Sequence, residues 1–236
     1  MATGRTIIVG DVHGCRDELD ALLSTARFAQ GSDRLVLVGD LVARGPDTPG
    51  VLALVRELGA RVARGNHEEK VLAGRRGETR LGPEHQRVAS ELSAEDWLVL
   101  DAMPLWLDLP GHAVRVVHAG VVPGLPVEQV PPQALLRMRA IDAQGRWTDD
   151  RSAGEAWGAT YAGPPHVVFG HDARRELQLH PWATGIDTGC VYGGRLTAVV
   201  LDEGEPMPRG EAARARLTSV AARRRYFGDG AGPPGR

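Results

Sequence analysis

Five short segments of the chain hold residues suited to metal and phosphate chemistry. Asp11 and His13 lie in Gly-Asp-Val-His-Gly, Asp40 in Gly-Asp-Leu-Val-Ala-Arg-Gly-Pro, and Asn66 and His67 in Gly-Asn-His-Glu. Further along, His118 ends the run Val-Val-His-Ala-Gly and His171 ends Val-Val-Phe-Gly-His. Carboxylate, imidazole and amide oxygen without a thiolate suit Mn2+ first, with Co2+, Fe or Zn2+ as alternatives, and suit an all-oxygen Mg2+ site less well. A lone aspartate after a strand is ordinarily a turn residue, and a lone histidine in a β-run is ordinarily a hydrogen-bonded core residue. Five such groups, each beside a glycine that permits close backbone approach, stand apart from that background. His85 in a polar loop, His112 in a turn, His166 before a strand and His180 beside Pro181 lack this context and read as structural or solvated.

The elements that must position these residues follow from the apolar pattern. Residues 6–9 form a β-branched run stopped by Gly10, and residues 15–28 carry Leu19, Leu22 and Leu23 at helical spacing. The unit recurs as a strand at 34–38, a Gly/Pro-rich loop at 39–49 and a helix at 51–58 ending at Gly59. A third strand at 61–64 leads into a helix through Lys70 and Leu72, so three polar loops end three successive strands. In open α/β sheets that edge binds ligands. Ser93 caps a helix reaching Met103, with Asp96 three residues on. Beyond it the pattern turns to strands: a hairpin at 105–117, then 167–169, 185–187 and 196–201. Strand and helix alternating first and mostly strands later predict an α/β fold of two packed sheets with helices outside. The division expected is a domain over 1–205, followed by a C-terminal piece over 206–236 with an Arg- and Ala-rich helix at 210–227 and a flexible Gly/Pro tail.

Composition narrows the setting. A chain of 236 residues with 42% hydrophobic side chains can bury one substantial core. A net charge of −2 supplies no global field for nucleic acid, so any anion-binding charge must be local. No apolar run approaches the roughly 18 residues that cross a bilayer and no leader pattern opens the chain, so a cytoplasmic protein without membrane association is expected. Cys15 and Cys190 read as small buried residues with no disulfide partner.

Taken together and in this order, the motifs resemble those of the calcineurin-like metallophosphoesterases, and among them the phosphoprotein phosphatase branch. The match spans residues 10–171, and Ile-Asp-Thr-Gly-Cys at 186–190 continues it. The resemblance implies a two-sheet β-sandwich flanked by helices. It implies that Asp11, His13 and Asp40 hold one divalent ion, and that Asp40, Asn66, His118 and His171 hold a second. It further implies that Arg44, Arg139 and His67 face the substrate phosphate, with His67 protonating the leaving oxygen. Two ions about 3.5–4 Å apart would ionise a shared water for in-line displacement at phosphorus, with no protein nucleophile.

Protein phosphatases of this branch carry an Asp, paired with the histidine corresponding to His67, where this chain has Ala43. A phosphoanhydride leaves as a phosphate and needs little protonation, so the Val-Ala-Arg-Gly variant suits that bond better than an alkyl ester. With Ile-Asp-Thr-Gly-Cys, the variant resembles the bacterial symmetrical diadenosine tetraphosphatases, which implies a dinucleoside polyphosphate substrate cut to two ADP. Phosphoproteins and dinucleotide-type caps on RNA 5′ ends are the alternatives. An aromatic face for adenine is expected among Trp106, Trp147, Trp157, Tyr161, Trp182 and Tyr192, with Tyr192 preferred for its place next to the 186–190 motif.

Overall fold

Aliphatic runs too short for a buried helix become strands covered on both faces. The protein is described from a computed structural model over residues 4–228. It begins with β1 (Thr6–Val9), α1 (Arg16–Thr25), β2 (Arg34–Leu37), α2 (Thr48–Glu57), β3 (Arg61–Val62) and α3 (Asn66–Arg75). Helices α4 (Pro83–Glu91) and α5 (Ala94–Ala102) lead to the hairpin β4 (Trp106–Leu109) and β5 (Val114–Val117). Then come α6 (Pro132–Arg137), β6 (Ala140–Asp142), β7 (Trp147–Thr148), β8 (Gly154–Ala156), α7 (Trp157–Thr160) and β9 (His166–Phe169). The last strands are β10 (Gln178–Leu179), β11 (Ala183–Gly185), β12 (Arg195–Leu201) and β13 (Leu217–Ala221). Local signals agree with these limits: the Asp47 carboxylate caps α2 by accepting the Gly50 N–H at 2.8 Å, and Ser93 and Asp96 form a reciprocal cap on α5.

Two five-stranded sheets pack face to face, in the orders β13-β12-β1-β2-β3 and β10-β11-β9-β5-β4, and β7-β6-β8 forms a small third sheet. Alternation along β1 divides the core, as a two-residue period must. Ile7 and Val9 face α1, α2 and α5 with Leu19, Leu52 and Leu100, while Ile8 joins Val36 and Val199 against Val116 and Val168 of the second sheet. Val117, Val167 and Phe169 form the second sheet's outer face and pack on Leu135 and Trp157. In the first sheet β1, β2 and β3 run parallel, and in the second β5, β9 and β11 do. The carboxyl ends of the parallel strands therefore release their loops along one edge of the sandwich.

The helix expected over 210–227 does not form. Residues Gly210–Arg216 make a 3-10 turn and Leu217–Ala221 pair antiparallel with β12, in register from Leu196↔Val220 to Val199↔Leu217. Unpaired backbone groups along β12 outweigh the helical propensity of the Ala/Arg composition. Most of the tail expected to be flexible lies outside the described residues. The strand expected at 185–187 ends at Gly185, which frees Asp187 for the loop. His85 lies on α4 and not in a loop. Cys15 and Cys190 are free and buried, and no described helix is long and apolar enough to cross a membrane.

Candidate functional site

Asp40 is the hub of the strand-end loops. Its Oδ1 accepts the N–H of His67 at 2.9 Å, and its Oδ2 lies 3.5 Å from Nε2 of His13 and 3.4 Å from Nε2 of His118. The side-chain oxygen of Asn66 is 3.0 Å from the same His118 nitrogen. Asp11 lies against His171, whose N–H points at both its carboxylate oxygens at 3.2 Å, and the His118 and His171 rings are 5.0 Å apart. The six residues anticipated as ligands, Asp11, His13, Asp40, Asn66, His118 and His171, thus come together at one sandwich edge. Ligand atoms of Asp40, His118 and His171 lie within 4.8 Å of one another, as do those of His13, Asp40 and His67.

Backbone carbonyls decide which ring nitrogens point inward. A carbonyl only accepts, so Nδ1–H of His13 donates to Val42 at 3.0 Å and Nδ1–H of His118 donates to Val38 at 3.2 Å. Both Nε2 atoms are left as lone pairs. Nε2–H of His171 donates to the Arg137 carbonyl at 3.2 Å, which leaves Nδ1 free. Around Asp40 Oδ2, imidazole lone pairs, a carboxylate oxygen and an amide oxygen face one another, and acceptors alone cannot hydrogen-bond among themselves. That donor set fits divalent cations of borderline character.

The backbone that delivers these groups is strained. His13, Asp40, Ala43, Arg44 and His171 all have positive φ, between 47° and 70°, a region that costs non-glycine residues free energy and clusters at functional sites. Two glycines are sterically required. A Cβ on Gly65 would lie 2.2 Å from Oδ1 of Asp40, and one on Gly170 would lie 1.9 Å from Oδ1 of Asp11. The strained loops are tied together: Val12 and His13 donate their N–H groups to the Asp40 carbonyl at 3.2 and 2.8 Å, and Gly170 donates to the His118 carbonyl at 2.8 Å.

Glu68, fully buried, fixes the Asp40 loop. Its Oε1 accepts N–H from Leu41 and Val42 at 2.7 and 3.1 Å, and its Oε2 accepts N–H from Asp40 and Gly65, both at 2.9 Å.

The family model of the calcineurin-like phosphoesterases matches residues 4–175. The chain belongs to that family. It is 43% identical over 258 aligned positions to the symmetrical bis(5′-nucleosyl)-tetraphosphatase of Citrobacter koseri, covering 82% of this chain and 90% of that protein. It is 33% identical over 206 positions to serine/threonine-protein phosphatase 1 of Salmonella typhimurium, covering 80% and 88%. A crystal structure of a protein provisionally called a diadenosine tetraphosphatase superimposes with a TM-score of 0.81 at 39% identity, covering 93% and 94%. As a calcineurin-like phosphoesterase the chain is a hydrolase of a family that works with a binuclear divalent-metal centre.

Burial sets the charge states of this phosphoesterase site. It lowers His118 to about 4 and drives His13, His67 and His171 well below the usual imidazole range, so these rings rest neutral. The same burial raises Asp40 and Asp187 to about 6 and Glu68 to about 7, and lifts Asp11, which Asp187 raises further. Of the residues expected near phosphate, Arg44 donates to Nε2 of His13 at 2.8 Å, its guanidinium standing where the lone pair faces the cleft. That guanidinium lies 5.4 Å from the Tyr192 ring and 5.7 Å from the Phe227 ring. Arg139 lines the cleft half-buried, donating to the Asp149 carbonyl at 3.1 Å, and Arg137 lines it exposed. Trp157 is buried in the core, and among the described aromatic residues Tyr192 and Phe227 line the cleft.

Glu68, His85, Asp187 and Phe227 are site residues that sequence reasoning did not single out. Glu68 and Asp187 lay inside the quoted motifs and were readable as polar residues in a strand-end loop, whereas nothing local marks His85 or Phe227. The clamp at Glu68 is directly testable. In Glu68→Gln either amide orientation turns an NH2 toward two backbone donors, and orphaning those two costs roughly 2–6 kcal/mol. Urea unfolding is expected to show a loss in that range, while a variant within about 0.5 kcal/mol of wild type would mean that the four contacts do not hold the loop.

Proposed function

We propose that this phosphoesterase hydrolyses dinucleoside polyphosphates, cutting diadenosine tetraphosphate at its central anhydride to give two ADP. The observation that carries the reading is the charge of the cleft, a cavity of about 630 Å³. Arg44, Lys70, Arg137, Arg174 and Arg225 line it and form no ion pair with a carboxylate among the described residues. On a chain of net charge −2, cations concentrated in one concave site focus an anionic substrate, and this many suits a chain of phosphates better than a single one. Tyr192 and Phe227 at the same cleft supply aromatic faces for a base. The similarity to proteins named as diadenosine tetraphosphatases supports the same substrate.

Asp11, His13 and Asp40 would hold one divalent ion and Asp40, Asn66, His118 and His171 a second, with Mn2+ the first choice for this donor set. When bound, such a pair supplies Lewis-acid charge and an ionised water for in-line displacement at phosphorus. Arg44, Arg137 and Arg139 bind phosphate oxygens, for which the planar guanidinium offers paired donors. His67 is the proton donor to the leaving oxygen from its cationic form; burial first, then His13 and Arg44 beside it, hold its pKa well below the usual imidazole range, which suits a phosphate leaving group whose demand for a proton is modest. The neutral imidazoles of His13, His118 and His171 present lone pairs without first losing a proton.

A phosphoprotein phosphatase reading is favoured by the similarity to serine/threonine-protein phosphatase 1. Capped RNA draws no support from the relatives named above. Product analysis separates the accounts. Mn2+-loaded protein is expected to convert diadenosine tetraphosphate to ADP alone, with a higher kcat/KM than for a phosphoserine peptide. AMP plus ATP, no turnover, or a preference for the peptide would contradict the assignment.

The pKa pattern adds a second expectation. Asp40 and Asp187 near 6 and Glu68 near 7 keep their protons at mildly acid pH, whereas the imidazoles are already neutral there. Cation binding requires the ionised carboxylates, so Mn2+ affinity should rise by about tenfold or more from about pH 5 to about pH 7.5, with proton release, and level off above. Calorimetric titration showing a constant or falling affinity over that range would reject the ligand set.

A further inference from the structure

One buried polar contact beside the candidate ligands joins two rings outside the set of six, those of His67 and His85. Nε2 of His85 lies 3.0 Å from Nδ1 of His67, and the two rings stack with centroids 5.0 Å apart and planes 25° apart. Both side chains are buried, His85 on α4 and His67 on the first turn of α3, and the two helices pack together. With Nδ1 committed to His85, the nitrogen that His67 has left for the cleft is Nε2. Behind His85, Oε2 of Glu84 lies 3.9 Å from Nδ1, and Lys70 and Arg44 are the other charged groups that act on the ring. The carboxylate favours a proton on Nδ1 of His85, which leaves its Nε2 to accept Nδ1–H of His67. Ala43, buried beside Arg44 with its N–H donated to Oγ1 of Thr48 at 3.2 Å, offers no polar side chain for this work.

We propose that His85 is a positioning residue that fixes the His67 ring and so directs Nε2 at the oxygen leaving phosphorus. The inference rests on the reading of His67 as proton donor. In that step the P–O bond breaks, its electron pair stays on the leaving oxygen, and that oxygen takes the Nε2 proton of the cationic His67 ring, which is left neutral with its remaining proton on Nδ1, still donated to His85. The contact therefore matters in proportion to the basicity of the leaving oxygen: much for a phenol or alcohol, little for a phosphate.

Full-length Mn2+-loaded protein can be assayed on a series of substituted phenyl phosphates and on diadenosine tetraphosphate. His85→Ala is expected to lower kcat on unsubstituted phenyl phosphate by about 10–100-fold with KM little changed, and on 4-nitrophenyl phosphate or the dinucleotide by under about threefold. His85→Gln, whose amide reaches the position of Nε2, is expected to restore most of the loss. Equal losses across the series, no loss, or failure of rescue in a Gln variant with wild-type thermal midpoint would overturn the inference. His67→Asn tests the reading beneath it. If that variant leaves the leaving-group dependence unchanged, His67 is not the donor and both ideas fall; if it steepens the dependence while His85→Ala does not, the positioning role alone falls.

Discussion

Around Oδ2 of Asp40 the fold gathers atoms that repel one another, and the rest of the structure makes sense as the means of holding them there. Imidazole lone pairs from His13 and His118 converge on a carboxylate oxygen, with the amide oxygen of Asn66 alongside. Burial removes the water that would otherwise screen them, and an uncompensated buried charge costs several kcal/mol. The chain meets this with backbone. Carbonyls of Val38, Val42 and Arg137 consume the imidazole N–H groups, the Glu68 carboxylate draws the Asp40 loop inward, and residues in left-handed conformations aim the side chains. Such a cluster is a structure built for cations.

The sandwich supplies the rigid frame that this convergence needs. Parallel strands from both sheets end at one edge, and the register Val9↔Leu37 and Leu37↔Val62 brings the ends of β1, β2 and β3 level. The second sheet is steadied from its outer face. Trp157, buried against Phe169, donates its indole N–H to the Ala119 carbonyl at 2.9 Å, directly after His118. Gly120 leaves the room, since a Cβ there would lie 2.7 Å from the indole nitrogen. The small residues that follow His118 are thus explained by a tryptophan far along the chain.

What was legible in the sequence is what local chemistry can encode. Glycine beside Asp11, Asp40, Asn66 and His171 announced close approach, and aliphatic runs before each announced the strands that carry them. The less legible features depend on partners distant in sequence. His85 gains meaning only because α4 packs on α3, and Glu68, although its own motif was visible, gains its role from the N–H groups of a loop about 27 residues away. The segment over 210–227 was misread because Ala and Arg favour a helix locally, whereas the free edge of β12 decides the outcome. Phe227 followed the same error: the last residue of the expected helix instead reaches the rim of the cleft, held by its N–H to the Val191 carbonyl at 3.1 Å.

The cleft combines an acceptor-rich floor with cationic walls, so opposite charges divide the labour between cations and substrate. Arg44 joins the two halves: it bonds His13 while two aromatic rings cover its guanidinium. In the proposed centre, six side chains would hold a pair of divalent ions with Asp40 shared between them. Its most direct test is the metal content of the protein, by mass spectrometry after equilibrium dialysis against Mn2+ at neutral pH. Two Mn2+ per chain, falling to one or fewer in Asp40→Asn, is the predicted result. A wild-type chain that retains one ion or none, or an Asp40→Asn chain that retains two, would contradict it.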